Sequence, residues 1–170
     1  MTTTIRLARA DEARQLAALA IQVWLDTYSL EGMRAALADY VLDHLTPTHF
    51  QALLANPHKT VYVAERNSHL LGYAVYGRDT LCPVVVEDGA VELETLYVSR
   101  HFHRQGVGWA LLAAMPAQAA IWLTTWYRNA SIAFYRARGF VDIGATVFEL
   151  DGEQHENRIL LLPATVEAMP

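Results

Sequence analysis

The order of elements legible in this chain predicts an α/β domain on a mixed central sheet, and three observations carry that prediction. The first half strings two strand-like segments together as a hairpin, whereas the second half alternates strand, helix, strand, helix and strand. Between them lies Glu92-Leu-Glu-Thr-Leu-Tyr-Val-Ser-Arg-His-Phe-His-Arg-Gln-Gly-Val-Gly-Trp-Ala-Leu-Leu112, which reads as a strand, a short basic loop and a glycine-opened helix. The chain of 170 residues shows no repeat, low-complexity tract or linker, so residues 1–170 are expected to form one domain. A domain of that size buries roughly two thirds of its unfolded surface.

Each element has its own signal. Thr3 to Arg9 reads as a first strand, with Ile5 and Leu7 on one side. Asp11 then opens a helix carrying Leu16, Ala20, Val23 and Trp24 along one face, and Gly32 breaks it. A second helical region spans about Met33 to His44, and Thr46-Pro47 starts a third that ends near Asn56-Pro57. Thr60 to Glu65 and Leu70 to Tyr76 read as strands joined by Arg-Asn-Ser-His. Residues 77–90 read as a loop with an apolar middle, Pro83-Val-Val-Val86, open to a substrate-facing role. Ile121 to Trp126 reads as a strand. Phe140 to Leu150 and Glu156 to Leu162 flank Asp151-Gly152, a strong hairpin signal.

The segment after the Glu92–Val98 strand is suited to holding a phosphate. At a helix start the first backbone N–H groups have no intrahelical partner and the macrodipole is positive, so an anion is stabilised there. Gly106 and Gly108 allow close backbone approach, while His103 and Arg104 add positive potential. Two common phosphate motifs do not fit. A dinucleotide fingerprint requires a further Gly or Ala where this chain has Leu111, and the Gly-Lys-Ser/Thr of a P-loop is absent.

The stretch His103-Arg-Gln-Gly106-Val-Gly108 resembles the acyl-CoA-binding motif of the GNAT superfamily of N-acetyltransferases, Gln/Arg-x-x-Gly-x-Gly/Ala, with His in place of Gln or Arg. Further along, Asn129-Ala-Ser-Ile-Ala-Phe-Tyr135-Arg-Ala-Arg-Gly139-Phe140 resembles the second GNAT signature, Asn-x-x-Ala-x-x-Phe-Tyr-x-x-x-Gly-Phe, with Asn129 read as its Asn. Physically, Asn129 reads as a helix N-cap, Arg136 and Arg138 suit a helix C-terminus, and Gly139 suits a left-handed C′ position. The resemblance implies the GNAT acyl-CoA N-acyltransferase fold, a mostly antiparallel mixed sheet flanked by helices, with acetyl-CoA as co-substrate. Trp24-Leu-Asp-Thr-Tyr28, Leu93-Glu-Thr-Leu-Tyr-Val98 and Gly144-Ala-Thr-Val-Phe148 are similar to bacterial spermidine/spermine N-acetyltransferases.

The same resemblance assigns roles. Backbone groups of Leu96, Tyr97 and Val98 would pair with the pantetheine arm, and His103, Arg104, Gln105, Gly106, Val107, Gly108, Trp109 and Ala110 would surround the pyrophosphate. Tyr135 matches the tyrosine that protonates the departing sulfur, although at helical spacing from Ile132 it also reads as a packed aromatic. Asn129 is left between helix cap and cofactor contact. Glu92 and Glu94 share a strand face, and either could deprotonate the acceptor amine directly or through water, or be a solvated surface carboxylate. Trp24, Asp26 and Tyr28 would border the acceptor, which would be a small-molecule amine or a peptide amine. Many members of the superfamily are homodimers, and the apolar C-terminal strand reads as an edge for pairing.

Composition bounds the alternatives. A net charge of -5 disfavours a nucleic-acid partner, because phosphate binding needs clustered Lys and Arg, and mildly favours a cationic substrate. The single cysteine, Cys82, excludes an intramolecular disulfide, and the start Met-Thr-Thr-Thr-Ile-Arg lacks a signal-peptide core, so a cytoplasmic location is expected. The uncharged run from Gln105 to Tyr127 approaches the ~20 apolar residues of a bilayer span, but Pro116, Gln118 and Thr124-Thr125 interrupt it, so no membrane association is expected. The seven histidines show no metal-ligand spacing, and no metal is expected.

Overall fold

The computed structural model describes residues 2–115, 119–150 and 153–164. They fall into two compact units, 1–76 with 95–115 and 77–94 with 116–170.

The first unit begins with β1 (Thr4–Leu7), a 3-10 turn at Ala10–Glu12 and α1 (Ala13–Tyr28). Then come α2 (Ala35–His44), α3 (Pro47–Ala55), β2 (Lys59–Arg66) and β3 (His69–Gly77). Thr46 caps α3, its hydroxyl accepting from the His49 N–H at 3.1 Å, and Pro47 supplies the pre-set φ of a first helical residue. Asn67 and Ser68 both take positive φ, 52° and 62°, as the two-residue turn between β2 and β3 requires. Leu16, Ala17 and Ala20 of α1 and Phe50 of α3 pack with Val61, Val63, Tyr73 and Val75 of the strands to form this unit's core. Burying each Leu, Val or Phe there contributes about 1.5–3 kcal/mol.

On β1 the alternation read from sequence is only half right. Leu7 is 58% exposed, and the neighbouring Arg6 turns inward to an ion-pair network. Arg6 donates to both oxygens of Glu12, at 2.9 and 2.6 Å, and to Glu65 of β2. Glu12 also accepts from the Arg9 N–H at 2.7 Å, so this buried carboxylate ties β1, the 3-10 turn and β2 together.

In the second unit, β5 (Ile121–Trp126) lies parallel to the start of β4 (Val91–Val98), with Val91 opposite Ile121. It lies antiparallel to β7 (Glu153–Leu162), from Ile121↔Leu162 to Trp126↔Asn157. β6 (Val141–Leu150) completes this arrangement on β7, with a bulge between Asp142 and Gly144. Ile121, Trp122 and Leu123 are all buried, as expected of a strand covered on both faces. Residues 78–90 of the expected 77–90 loop form neither helix nor strand, Gly77 closing β3, and Val84 lies against Gly144, where an added Cβ would come within 3.2 Å of its Cγ1.

Pairings within the two units give the strand order β1-β2-β3-β4-β5-β7-β6. That is the GNAT fold, a seven-stranded, mostly antiparallel sheet flanked by helices. It corrects one expectation: β7 pairs on both sides, and the outer strand is β6. The Asp151-Gly152 turn lies outside the described residues, but the strands it was read to join pair as far as Leu150↔Glu153. No described helix is long and apolar enough to cross a membrane.

The Arg6 hydrogen bonds hold the Glu12 carboxyl below its ordinary value near 4.5, against the opposing effect of burial. A depressed native pKa contributes stability that is present above the unfolded value and is lost as pH falls through the native one. Thermal unfolding between pH 2 and 6 should therefore show the wild-type melting temperature falling more steeply below about pH 4.5 than that of Glu12→Gln. Parallel curves would remove Glu12 from the acid response.

Candidate functional site

The first unit contains the glycine turn. After β4, Ser99 anchors the chain by donating its N–H to the Leu71 carbonyl at 2.8 Å, and Arg100–Phe102 form a single 3-10 turn. The His103 ring then folds back, its Nε2 lying 2.9 Å from the Val98 carbonyl. A carbonyl can only accept, so Nε2 carries the proton in this bond. Gln105 closes the loop further by donating to the His101 carbonyl at 3.0 Å. Arg104 and Gly106 both adopt left-handed φ, 59° and 80°. For Gly106 this is free of side-chain strain, whereas for Arg104 it costs about 1–2 kcal/mol.

Helix α4 (Val107–Leu112) opens on Gly106. Its first internal bond runs from the Ala110 N–H to the Gly106 carbonyl at 2.9 Å. Among the described residues no acceptor meets the N–H groups of Arg104, Gln105, Gly106, Val107 and Gly108. These donors, with the exposed Arg104 guanidinium, fit an oxygen-rich anion such as a pyrophosphate. The far end of α4 is held by Tyr76, whose buried hydroxyl lies 3.3 Å from both the Leu111 and Leu112 carbonyls.

Leu96, Tyr97 and Val98 belong to the same unit and lead into this turn, as the sequence predicts. One detail differs: the Val98 carbonyl is already engaged by His103. Gly72 of β3 allows β4 to approach, since a Cβ there would lie 2.5 Å from the Tyr97 carbonyl oxygen and 3.1 Å from the Val98 Cα.

The second unit contains Glu92, Glu94, Asn129 and Tyr135. On β4, Glu92 is half-buried and Glu94 exposed, while Val91 and Leu93, which alternate with them, are buried. Tyr135 lies near the end of α5 (Ser131–Arg136), and a Schellman motif fixes it there. The Phe140 N–H donates to the Tyr135 carbonyl at 3.2 Å, the Gly139 N–H to the Arg136 carbonyl at 3.1 Å, and Gly139 has φ +91°. The accompanying apolar contact is made by the Tyr135 and Phe140 rings, 5.3 Å apart. Tyr135 is only 7% exposed, yet its hydroxyl has no hydrogen-bond partner among the described residues and is not sealed from solvent. Burial pushes that phenol up to about 12.

Asn129 departs from the sequence reading by one residue, while its side chain still meets an N–H at the start of α5. The helix begins one residue later than expected, with Ala130 at the cap position. Asn129 precedes it in an Asx turn, accepting from the Ser131 N–H at 2.9 Å and donating to the Thr125 hydroxyl at 2.9 Å. Both ends of its carboxamide are thus used locally. Counting the signature back from Tyr135 explains this: its Asn position falls on Arg128, and its Ala position on Ser131.

Arg128 is the residue the sequence reading missed, and spacing from Tyr135 was the signal for it. Its guanidinium lies 5.0 Å from the Tyr127 ring centroid and lines a cavity of about 830 Å3 with Arg136, Arg158, Asp142 and Glu156. Arg158 is committed there, donating twice to Asp142 at 2.9 and 2.7 Å. Among the described residues no cluster of His, Cys, Asp and Glu is arranged to hold a metal ion.

The family model described as "Acetyltransferase (GNAT) domain" matches residues 57–142, just over half of the chain. An uncharacterized N-acetyltransferase of Mycobacterium tuberculosis (strain ATCC 25618 / H37Rv) is 29% identical over 133 residues, 74% of this chain and 80% of that protein. The PaiA N-acetyltransferase of Thermoplasma acidophilum, solved with coenzyme A, is 18% identical with a TM-score of 0.69, covering 93% of this chain and 98% of that one. The yncA protein of Salmonella typhimurium, solved with its cofactor acetyl-CoA, is 20% identical with a TM-score of 0.64, covering 100% of this chain and 98% of that one. At these identities the solved structures establish the shared fold.

Gly72→Ala should drive β4 away from β3 at Tyr97 and Val98. Equilibrium urea unfolding is expected to show a loss of about 1–3 kcal/mol, the usual range for overpacking. A variant with an unchanged midpoint would show that β4 tolerates the displacement.

Proposed function

Because the chain belongs to the GNAT acetyltransferase family, we propose that it transfers the acetyl group of acetyl-CoA to a primary amine, the amine attacking directly in a ternary complex. The observation that carries this reading is the run of backbone N–H groups at residues 104–108 without acceptors, at the start of a helix. Acetyl-CoA supplies an activated acetyl thioester. In this reading residues 103–110 hold its pyrophosphate, and backbone groups of Leu96, Tyr97 and Val98 hold the pantetheine arm, less the Val98 carbonyl that His103 occupies.

The acceptor nitrogen must be neutral to offer its lone pair, so a base must take its proton. Glu94, exposed on β4, and Glu92, half-buried two residues earlier, fill that role directly or through a water. Small amines, polyamines among them, suit the acidic balance of the chain. Trp24-Leu-Asp-Thr-Tyr28 and the strand Leu93–Val98 support the polyamine class through their similarity to spermidine/spermine acetyltransferases.

Tyr135 assists the departing sulfur, and its environment defines how. A phenol near 12 faces a thiolate whose parent thiol has a pKa near 8.5. Complete proton transfer is then uphill by on the order of 5 kcal/mol, at 1.36 kcal/mol per unit. The hydroxyl acts instead as a hydrogen-bond donor to the sulfur as negative charge develops, with the proton arriving from solvent afterwards. Its raised pKa keeps the donor protonated across the working range.

The test is steady-state thiol release with calorimetric acetyl-CoA binding. Tyr135→Phe should lower kcat at least tenfold while leaving acetyl-CoA affinity within about a factor of two, the pattern of an interaction strongest in the transition state. In wild type no loss of activity from deprotonation of Tyr135 is expected up to pH 10. Gly108→Glu, which places a carboxylate against the proposed pyrophosphate site, should abolish acetyl-CoA binding. A fully active Tyr135→Phe removes the donor role, and normal binding by Gly108→Glu removes the cradle.

A further inference from the structure

The cavity of the second unit is lined by none of residues 92–110 and not by Tyr135, so the acetyl-transfer reading leaves it unexplained. Three guanidinium groups from separate segments reach it: Arg128 from the turn before α5, Arg136 from the end of α5 and Arg158 from β7. Arg158 is committed to the two carboxylates of the wall, donating to Asp142 at 2.9 and 2.7 Å and to Glu156 at 3.1 Å. Arg136 lies 3.6 Å from the same Asp142, too far for a hydrogen bond, and donates to nothing among the described residues.

Arg128 is the most informative member. Among the described residues it makes neither a hydrogen bond nor an ion pair, and its guanidinium rests over the Tyr127 ring, 5.0 Å from the centroid. That ring is a fixed platform, because the Tyr127 N–H donates to the Glu156 carbonyl at 3.1 Å and Trp126 meets the ring edge-on at 5.9 Å. A guanidinium held by its face keeps the N–H groups of its edge free, and these bind a planar oxyanion through two parallel bonds. Three arginines against Asp142 and Glu156 leave one uncompensated positive charge on the wall, in a chain whose net charge is -5. The volume of about 830 Å3 lies within the roughly 300–1,000 Å3 of small-molecule sites.

We propose that this cavity binds a small organic carboxylate, its oxygens pairing with Arg128 and Arg136 and its apolar body resting on Ile132 and Ala133. Ile132 is buried and Ala133 exposed, so the apolar wall reaches from the floor of the cavity to its rim. A cation finds no counter-charge here, because Arg158 already occupies both carboxylates. The ligand bridges the turn before α5 and the last residue of that helix, so its binding stiffens the element that carries Tyr135. The site stands independently of the acetyl-transfer reading. Under that reading its ligand is an effector, since neither Tyr135 nor the two glutamates line the cavity.

The experiment is a calorimetric and 15N-edited NMR titration of the full chain with benzoate, its uncharged analogue benzamide and inorganic phosphate. Benzoate should bind saturably and shift the amides of residues 127–136, with an affinity at least about tenfold above that of benzamide, the usual worth of a charged hydrogen-bond pair. Phosphate, which has no apolar body, should bind more weakly than benzoate. Arg128→Gln and Arg136→Gln, both at exposed positions where folding is not at risk, should each weaken benzoate by about fivefold or more. The proposal is overturned by an absence of saturable benzoate binding, by equal affinity for benzamide or phosphate, or by an affinity that both substitutions leave unmoved. Repeating the titration with saturating coenzyme A should leave benzoate affinity intact. Displacement of benzoate would overturn the separate site, because Arg128 would then serve the coenzyme.

Discussion

Everything in the site depends on presenting unpaired backbone N–H groups at the end of β4 without letting the chain collapse onto them. A helix start does this at little cost, because those donors have no intrahelical acceptor in any sequence. What the sequence must add is a turn that holds them toward solvent. Here that is Arg104 and Gly106 in left-handed conformations, closed by His103 onto Val98 and by Gln105 onto His101. Tyr76, buried beneath the other end of the six-residue helix, fixes its C-terminal carbonyls. His103 thus serves as a clamp at a position where the motif has Gln or Arg.

In the proposed reading the Tyr135 signature is structural and chemical at once. The spacing from Tyr135 to Gly139 and Phe140 is that of a Schellman motif, which ends α5 and sets the aromatic ring against Phe140. The same packing desolvates the phenol and moves it away from thiol acidity. Rigid placement and strong acidity are therefore in conflict at this residue. Burial favours placement, which suits the hydrogen-bond donor proposed above.

Signals confined to a few residues were legible in the sequence. The glycine turn, the Thr46-Pro47 helix start and the Gly139 helix stop lie where spacing and composition put them, and the Arg-Asn-Ser-His connection tightens to the two residues Asn67 and Ser68. Signals that depend on distant partners were not. Arg6 sits on a short strand between apolar residues, and nothing local announces that Glu12 and Glu65 will draw it inward. The C-terminal strand reads as an edge because its apolar residues look alike whether one or two neighbours pair with it. Asn129 misled for a different reason: an Asn before a helix is a good cap in general, and only counting from Tyr135 shows that Arg128 holds the signature position.

The most direct test of the account is to follow the backbone amide resonances of residues 103–110 by 15N-edited NMR while coenzyme A is titrated into the protein. The amides of Gly106, Val107 and Gly108 should undergo the largest shifts, saturating with the calorimetric affinity. Saturable binding that leaves those three amides unmoved would contradict it, because the anion would then be held elsewhere.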